Sequence, residues 1–185
     1  GLSREIAAIY DLNKSLTNNY QLAIDLDKTI ELEIKEPKFC HRISAQYFEN
    51  IKIGSSPEWM QDILKDCGMR PVNNLVDITN YVTLETGQPL HAFDLDKING
   101  SKIEVRRSRA NESVELLDGQ KFELDQDILV LSDGKNTLDI AGIRGGKKAE
   151  ISKNTKRIIL TAGNFEGSSI YKTSRRLKIS TDASI

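Results

Sequence analysis

The chain is poor in residues that staple a fold or hold a metal. It has two cysteines, Cys40 and Cys67, and two histidines, His41 and His91, in 185 residues. Two thiols cannot build the disulfide framework of a small secreted domain. No Cys/His set has zinc spacing, so neither a metal nor an organic cofactor is expected in this chain. Four prolines and 12 glycines exclude collagen-like and low-complexity classes. No apolar run approaches the roughly 20 residues of a transmembrane helix, and no signal-peptide pattern opens the chain. Walker loops, dinucleotide fingerprints, Gly-x-Ser-x-Gly elbows, His-Glu-x-x-His and EF-hand loops are all missing. What remains is the expectation of a soluble, globular, cytoplasmic protein with no membrane association and enough chain for a real core. It begins at Gly1 rather than Met and stops at Ile185, which reads as a piece cut from something longer.

The charges that are present are unevenly placed. The formal net charge is −1, but from Arg144 to Ile185 ten Lys or Arg face three acids, and the first 143 residues carry the opposite excess. Such asymmetry fits a basic part that faces a polyanion, and a solvated helix face with lysine-decorated loops would give the same composition.

Residues 2–10 read as a short amphipathic helix and 13–20 as a polar linker. Strict alternation over 29–34 predicts a strand ended by Pro37, and 40–53 is β-rich. Ser55-Ser56-Pro57-Glu58 reads as a helix start with a capping serine, the helix running over 59–67 to Gly68. A second helix is expected over 74–85, closed by Gly87. Strands follow over 102–107, 113–117, 127–132, 137–140 and 157–162, with turns at Asp118-Gly119 and Asp133-Gly134. A basic helix covers 168–177, after a cap region at 164–167. Without a βαβ rhythm, the class is α+β: a mixed, largely antiparallel β-sheet core with helices packed on it. Residues 1–36 are expected to be the end of a preceding module with its connection, and 37–185 one domain.

Three features carry chemical interest. Asn73, Asp77, Asn80 and Tyr81 share a helix face, which implies a hydrogen-bond network, a polar pocket, or simply a cap and an exposed face. His91 follows Gly87-Gln88-Pro89 between helix and strand, where functional side chains often project. Ala141-Gly-Ile-Arg-Gly-Gly146 is a glycine-rich turn that offers backbone N–H groups and room for a ligand, or a tight hairpin.

The run Val76-Asp-Ile-Thr-Asn-Tyr81, Glu85-Thr-Gly-Gln-Pro-Leu-His-Ala-Phe-Asp94 resembles the editing domain of the bacterial phenylalanyl-tRNA synthetase beta subunit. The likeness includes Cys67-Gly-Met-Arg70, Leu116-Leu-Asp-Gly119, Gly142-Ile-Arg-Gly-Gly146, Thr173-Ser-Arg-Arg176 and Thr181-Asp-Ala-Ser184. The resemblance implies a cytoplasmic α2β2 ligase in which ATP and Mg2+ serve a synthetic site in the alpha subunit. This domain would hydrolyse tyrosine mistakenly esterified to phenylalanine tRNA. It also implies site residues: His91 in the pocket with Arg70 near it, Gly145 and Gly146 as walls, and Thr181 and Ala183 lining the last side. Lys172, Arg175, Arg176 and Lys178 would contact tRNA phosphates. No catalytic residue is assigned; a positioned water, backbone dipoles and the tRNA's terminal hydroxyl would carry hydrolysis. The family's glutamate for the tyrosine hydroxyl is replaced here by Thr161, which implies weaker discrimination, with His91 supplying much of the remainder. Glu166, five positions on, falls beyond the strand. The other implied reading is an editing-impaired domain kept as a tRNA- or subunit-binding module.

Overall fold

A computed structural model describes Ala7, residues 9–11, residues 30–179 and Thr181. Most of the helix expected over 2–10, the linker over 13–20 and Ala183 lie outside the described residues.

The strands are β1 (Glu31–Ile34), β2 (Cys40–Phe48), β3 (His91–Asp94), β4 (Lys102–Arg107) and β5 (Glu112–Glu115). They continue with β6 (Lys121–Leu124), β7 (Leu129–Ser132), β8 (Thr137–Ile140), β9 (Arg144–Gly145) and β10 (Ile158–Phe165). Among the described residues they are accompanied by the helices α1 (Glu58–Asp66), α2 (Asn74–Thr86) and α3 (Gly167–Leu177). One sheet has the order β1-β4-β7-β8-β9, a second the order β2-β10-β3, and β5-β6 forms a hairpin. Only β1 with β4 is parallel; the other strand pairs are antiparallel. The α+β class with a mixed, largely antiparallel core is therefore the observed one.

The two larger sheets pack face to face. Cys40, Ile43, Phe93 and Ile159 from the smaller sheet meet Ile103, Val105, Leu129, Leu131 and Leu138 from the larger one. Val130 and Ile140 point the other way, into a second cluster with Val114, Leu116, Leu124 and Ile170 of the hairpin and α3. Period-2 alternation thus gives β7 two buried faces, and a fully buried side chain of this kind contributes roughly 1.5–3 kcal/mol.

Helix α2 delivers the chain to β3 and is fixed at both ends. The Asn73 side chain accepts from the N–H groups of Leu75 and Val76, and Gly87 closes the helix in the left-handed region at φ 77°. The expected serine cap of α1 is not made: Pro57 is its N-cap, without a side-chain hydrogen bond. The Ser56 hydroxyl instead donates to the buried Asp77 carboxylate, which also accepts from the Val72 N–H at 2.8 Å. Asn74 adds a clamp, accepting from Gly54 N–H and donating to the Lys52 carbonyl. Asp77 and Asn74 therefore tie α2 to the preceding loop, while Asn73 caps the helix and Tyr81 meets Trp59 edge-on. Asp77→Ala leaves a hydroxyl and an N–H without their acceptor and should cost about 2–3 kcal/mol, measurable by urea unfolding.

Candidate functional site

A cleft of about 540 Å3 opens where the edges of the two sheets meet α3. Its walls come from residues 88–91, from β8 and the turn into β9, and from the end of β10 with the start of α3. The polar helix row is not among the lining residues, so of its readings the polar pocket is not the one observed.

His91 opens β3 and stands in the wall. Its ring meets Phe93 edge-on at 4.6 Å between centroids. On its other side lies Gly145, where an added Cβ would come within 2.5 Å of the His91 Cε1 atom. The absence of a side chain at Gly145 is thus what makes room for the imidazole. Gln88 fastens the rim, its amide donating to the carbonyls of Pro89 and Gly163.

Opposite the imidazole is a carboxylate that the sequence reading missed. Asp139 Oδ1 lies 3.7 Å from His91 Nε2 and accepts from the Gly146 N–H at 3.0 Å. Burial pushes the Asp139 carboxyl upward from its ordinary pKa, against the pull of the imidazole and the Gly146 N–H. A register slip explains its orientation. Leu131 pairs with Asp139 and Ser132 with Thr137, which leaves Leu138 as an extra residue in β8. Past that bulge Asp139 shares the face of Leu131, which also lines the cleft. Strict alternation would have sent Leu138 and Asp139 to opposite faces; an aspartate within an apolar strand beside a glycine turn was the available signal.

The structure brings His91, Gly145 and Thr161 together around one cleft. Thr161 is His91's register partner across β10 and β3, and its hydroxyl donates to the His91 main-chain carbonyl at 3.3 Å. Gly146 is not on the wall: its N–H is shared between the Leu138 carbonyl and Asp139. Arg70 is exposed and is not among the lining residues. Thr181 donates to the Ile143 carbonyl behind the turn. Glu166 is occupied as the N-cap of α3, accepting from Ser168 and Ser169. Arg144, at the mouth, is paired with Asp118.

Helix α3 borders the cleft through Ile170 and Tyr171. Lys172, Arg175, Arg176 and Lys178 are all exposed; Arg175 stacks over Tyr171 and Arg176 pairs with Asp125 at 2.6 Å. Cys40 and Cys67 are free thiols. Among the described residues, no group of three His, Cys, Asp or Glu is arranged to hold a metal ion, and no helix is long and apolar enough to cross a membrane.

Over its full length the chain is 41% identical to the phenylalanine–tRNA ligase beta subunit of Dehalococcoides mccartyi strain CBDB1 and to that of Carboxydothermus hydrogenoformans. It spans 23% of each relative's length. Its fold is similar to an N-terminal fragment of the phenylalanyl-tRNA synthetase beta subunit from Pyrococcus horikoshii, with a TM-score of 0.55. That likeness covers 82% of this chain and 49% of the other at 13% identity, so it concerns the fold. The model of the B3/4 domain family matches residues 39–185, and the chain belongs to that family.

Proposed function

We propose that the cleft is the hydrolytic editing pocket of a phenylalanine–tRNA ligase beta subunit, clearing tyrosine esterified to phenylalanine tRNA. The observation that carries this reading is an imidazole in the wall of an aromatic-sized cleft bordered by an exposed basic helix. A basic helix at the mouth suits the phosphates of an RNA whose esterified end enters the cleft. The lining holds no serine or cysteine nucleophile. The residues therefore orient the ester, and a positioned water with the tRNA's own terminal hydroxyl completes hydrolysis. Phenylalanine and tyrosine differ by one hydroxyl, and a second site with polar groups for that hydroxyl sorts them where a synthetic pocket does so modestly.

In this reading the chain is part of a cytoplasmic α2β2 enzyme, with ATP and Mg2+ used at the alpha subunit's synthetic site. Lys172, Arg175, Arg176 and Lys178 attract tRNA without reading its sequence. Arg70, Thr181 and Ala183 would act at the edge of the bound aminoacyl end.

The test is deacylation of Tyr-tRNA by the complete synthetase. Hydrolysis well above the uncatalysed rate is expected, falling at least tenfold in His91→Ala. A wild-type rate equal to the uncatalysed one would instead establish a binding module without hydrolysis.

A further inference from the structure

We propose that Asp139 is the carboxylate that reads the phenol hydroxyl of the bound tyrosyl group, as the specificity-determining partner of His91. The inference rests on the editing reading above and adds to it a residue that the resemblance did not assign.

Asp139 is the one carboxylate among the residues lining the cleft. It is 6% exposed, and its bonding is incomplete. Oδ1 accepts from the Gly146 N–H and faces His91 Nε2 at 3.7 Å, beyond hydrogen-bond length. Among the described residues no hydrogen bond reaches Oδ2. Among the described residues no buried side-chain oxygen or nitrogen lacks a hydrogen-bond partner, so Oδ2 is open to the cleft, its lone pairs offered to whatever enters. The one arginine or lysine among the lining residues, Arg144, is already held by Asp118.

Thr161 is a poor candidate for the same task. Its hydroxyl, which donates to the His91 carbonyl, can still accept, but as a neutral oxygen it lacks the charge assistance that a carboxylate gives a phenol. A phenol seated between Asp139 and His91 would donate its proton to the carboxylate in a short, charge-assisted bond. A phenylalanyl group would enter the same space and leave the carboxylate unpaired. Discrimination then comes from an acceptor that the bound group shuts off from water, not from cleft size. The bulge at Leu138 serves this arrangement, because it turns an aspartate of a core strand onto the cleft face.

The experiment uses the full synthetase, assembled from the complete beta subunit and its alpha subunit, and tRNA esterified with tyrosine, phenylalanine or 4-fluorophenylalanine. The fluoro ester nearly matches tyrosine in size and lacks the donor. In the wild type, tyrosine should be cleared faster than both others. In Asp139→Asn the tyrosine-to-phenylalanine rate ratio should fall about tenfold, and in Asp139→Ala at least as far. A ratio kept within twofold in the folded Asn variant would overturn the proposal and leave the editing reading standing. Equal losses for tyrosine and phenylalanine would also overturn it, since they mark an interaction common to both, such as the ammonium group. Fluoro and tyrosyl esters cleared equally by the wild type would overturn it without any variant. No wild-type hydrolysis of the tyrosyl ester would remove the editing reading itself, and the proposal with it.

Discussion

Gly145→Trp is expected to abolish hydrolysis of mischarged tRNA and to leave the protein folded. The smallest addition at this position, a Cβ, already falls 2.5 Å from His91 Cε1 and 2.9 Å from Nε2, with Leu117 Cδ1 at 3.2 Å. All three are side-chain atoms, two of them of His91 in the cleft wall, so the framework is spared while the imidazole is driven out. An indole there also fills volume a substrate would occupy. Editing should drop to background in a deacylation assay, and the thermal midpoint should move by only a few degrees. Gly145→Ala, which displaces the ring without filling the cleft, should lose most of the rate as well. Full activity in a folded Gly145→Trp enzyme would show that the chemistry happens elsewhere.

The next residue should behave in the opposite way. At Gly146 an added Cβ would lie 2.2 Å from the Leu138 carbonyl oxygen and 3.1 Å from its carbon. These are backbone atoms, and they are the ones Gly146 bonds to: its N–H donates to that carbonyl at 2.8 Å. Relieving the clash means parting β8 from β9 and surrendering a bond shared with Asp139. Gly146→Ala is therefore expected to cost roughly 3–5 kcal/mol, summing overpacking and a lost buried hydrogen bond. For a domain of this size that is a fall of roughly 10 °C or more in the melting midpoint. A Gly146→Ala protein that melts like the wild type would mean the two strands can separate freely there. Two adjacent glycines thus separate cleanly, one guarding a site and one guarding a fold.

Much of this architecture was legible in the residues. Alternation found β4 (Lys102–Arg107) to the residue, because Ile103 and Val105 meet one core on a period of two. The same reading gave the bounds of β8 (Thr137–Ile140), although its bulge sends Leu138 and Ile140 to different cores. Gly87 marked the end of α2 for a physical reason: its φ of 77° suits glycine. The strand Lys121–Leu124 was not found, because its Lys-Phe-Glu-Leu pattern carries charge on its outer face and reads as part of a turn. Ser56 misled because a serine before a proline favours a cap by local propensity, while its hydroxyl serves Asp77, 21 residues away. At the site, His91 and Gly145 were visible as residue types in suggestive places. Asp139 was not, since a single extra residue in β8 decides which face it takes, and no local pattern records that slip.

The location of the imidazole and the carboxylate has a mechanical consequence. His91 belongs to the sheet β2-β10-β3, while Asp139 and Gly145 belong to the sheet β1-β4-β7-β8-β9. Nothing covalent and no strand ladder joins these partners across the seam; their spacing is kept by the apolar layer of Phe93, Ile159, Leu131 and Leu138 between the sheets. The 3.7 Å gap is therefore a vernier for that layer. A methylene lost or gained in Phe93's surroundings slides one plate over the other, and a displacement near 1 Å is enough to cost a site of this kind about a hundredfold in rate. Under the proposed editing function, the geometry of the site is thus set by plain hydrocarbon far from any reacting atom, in the filling between two plates.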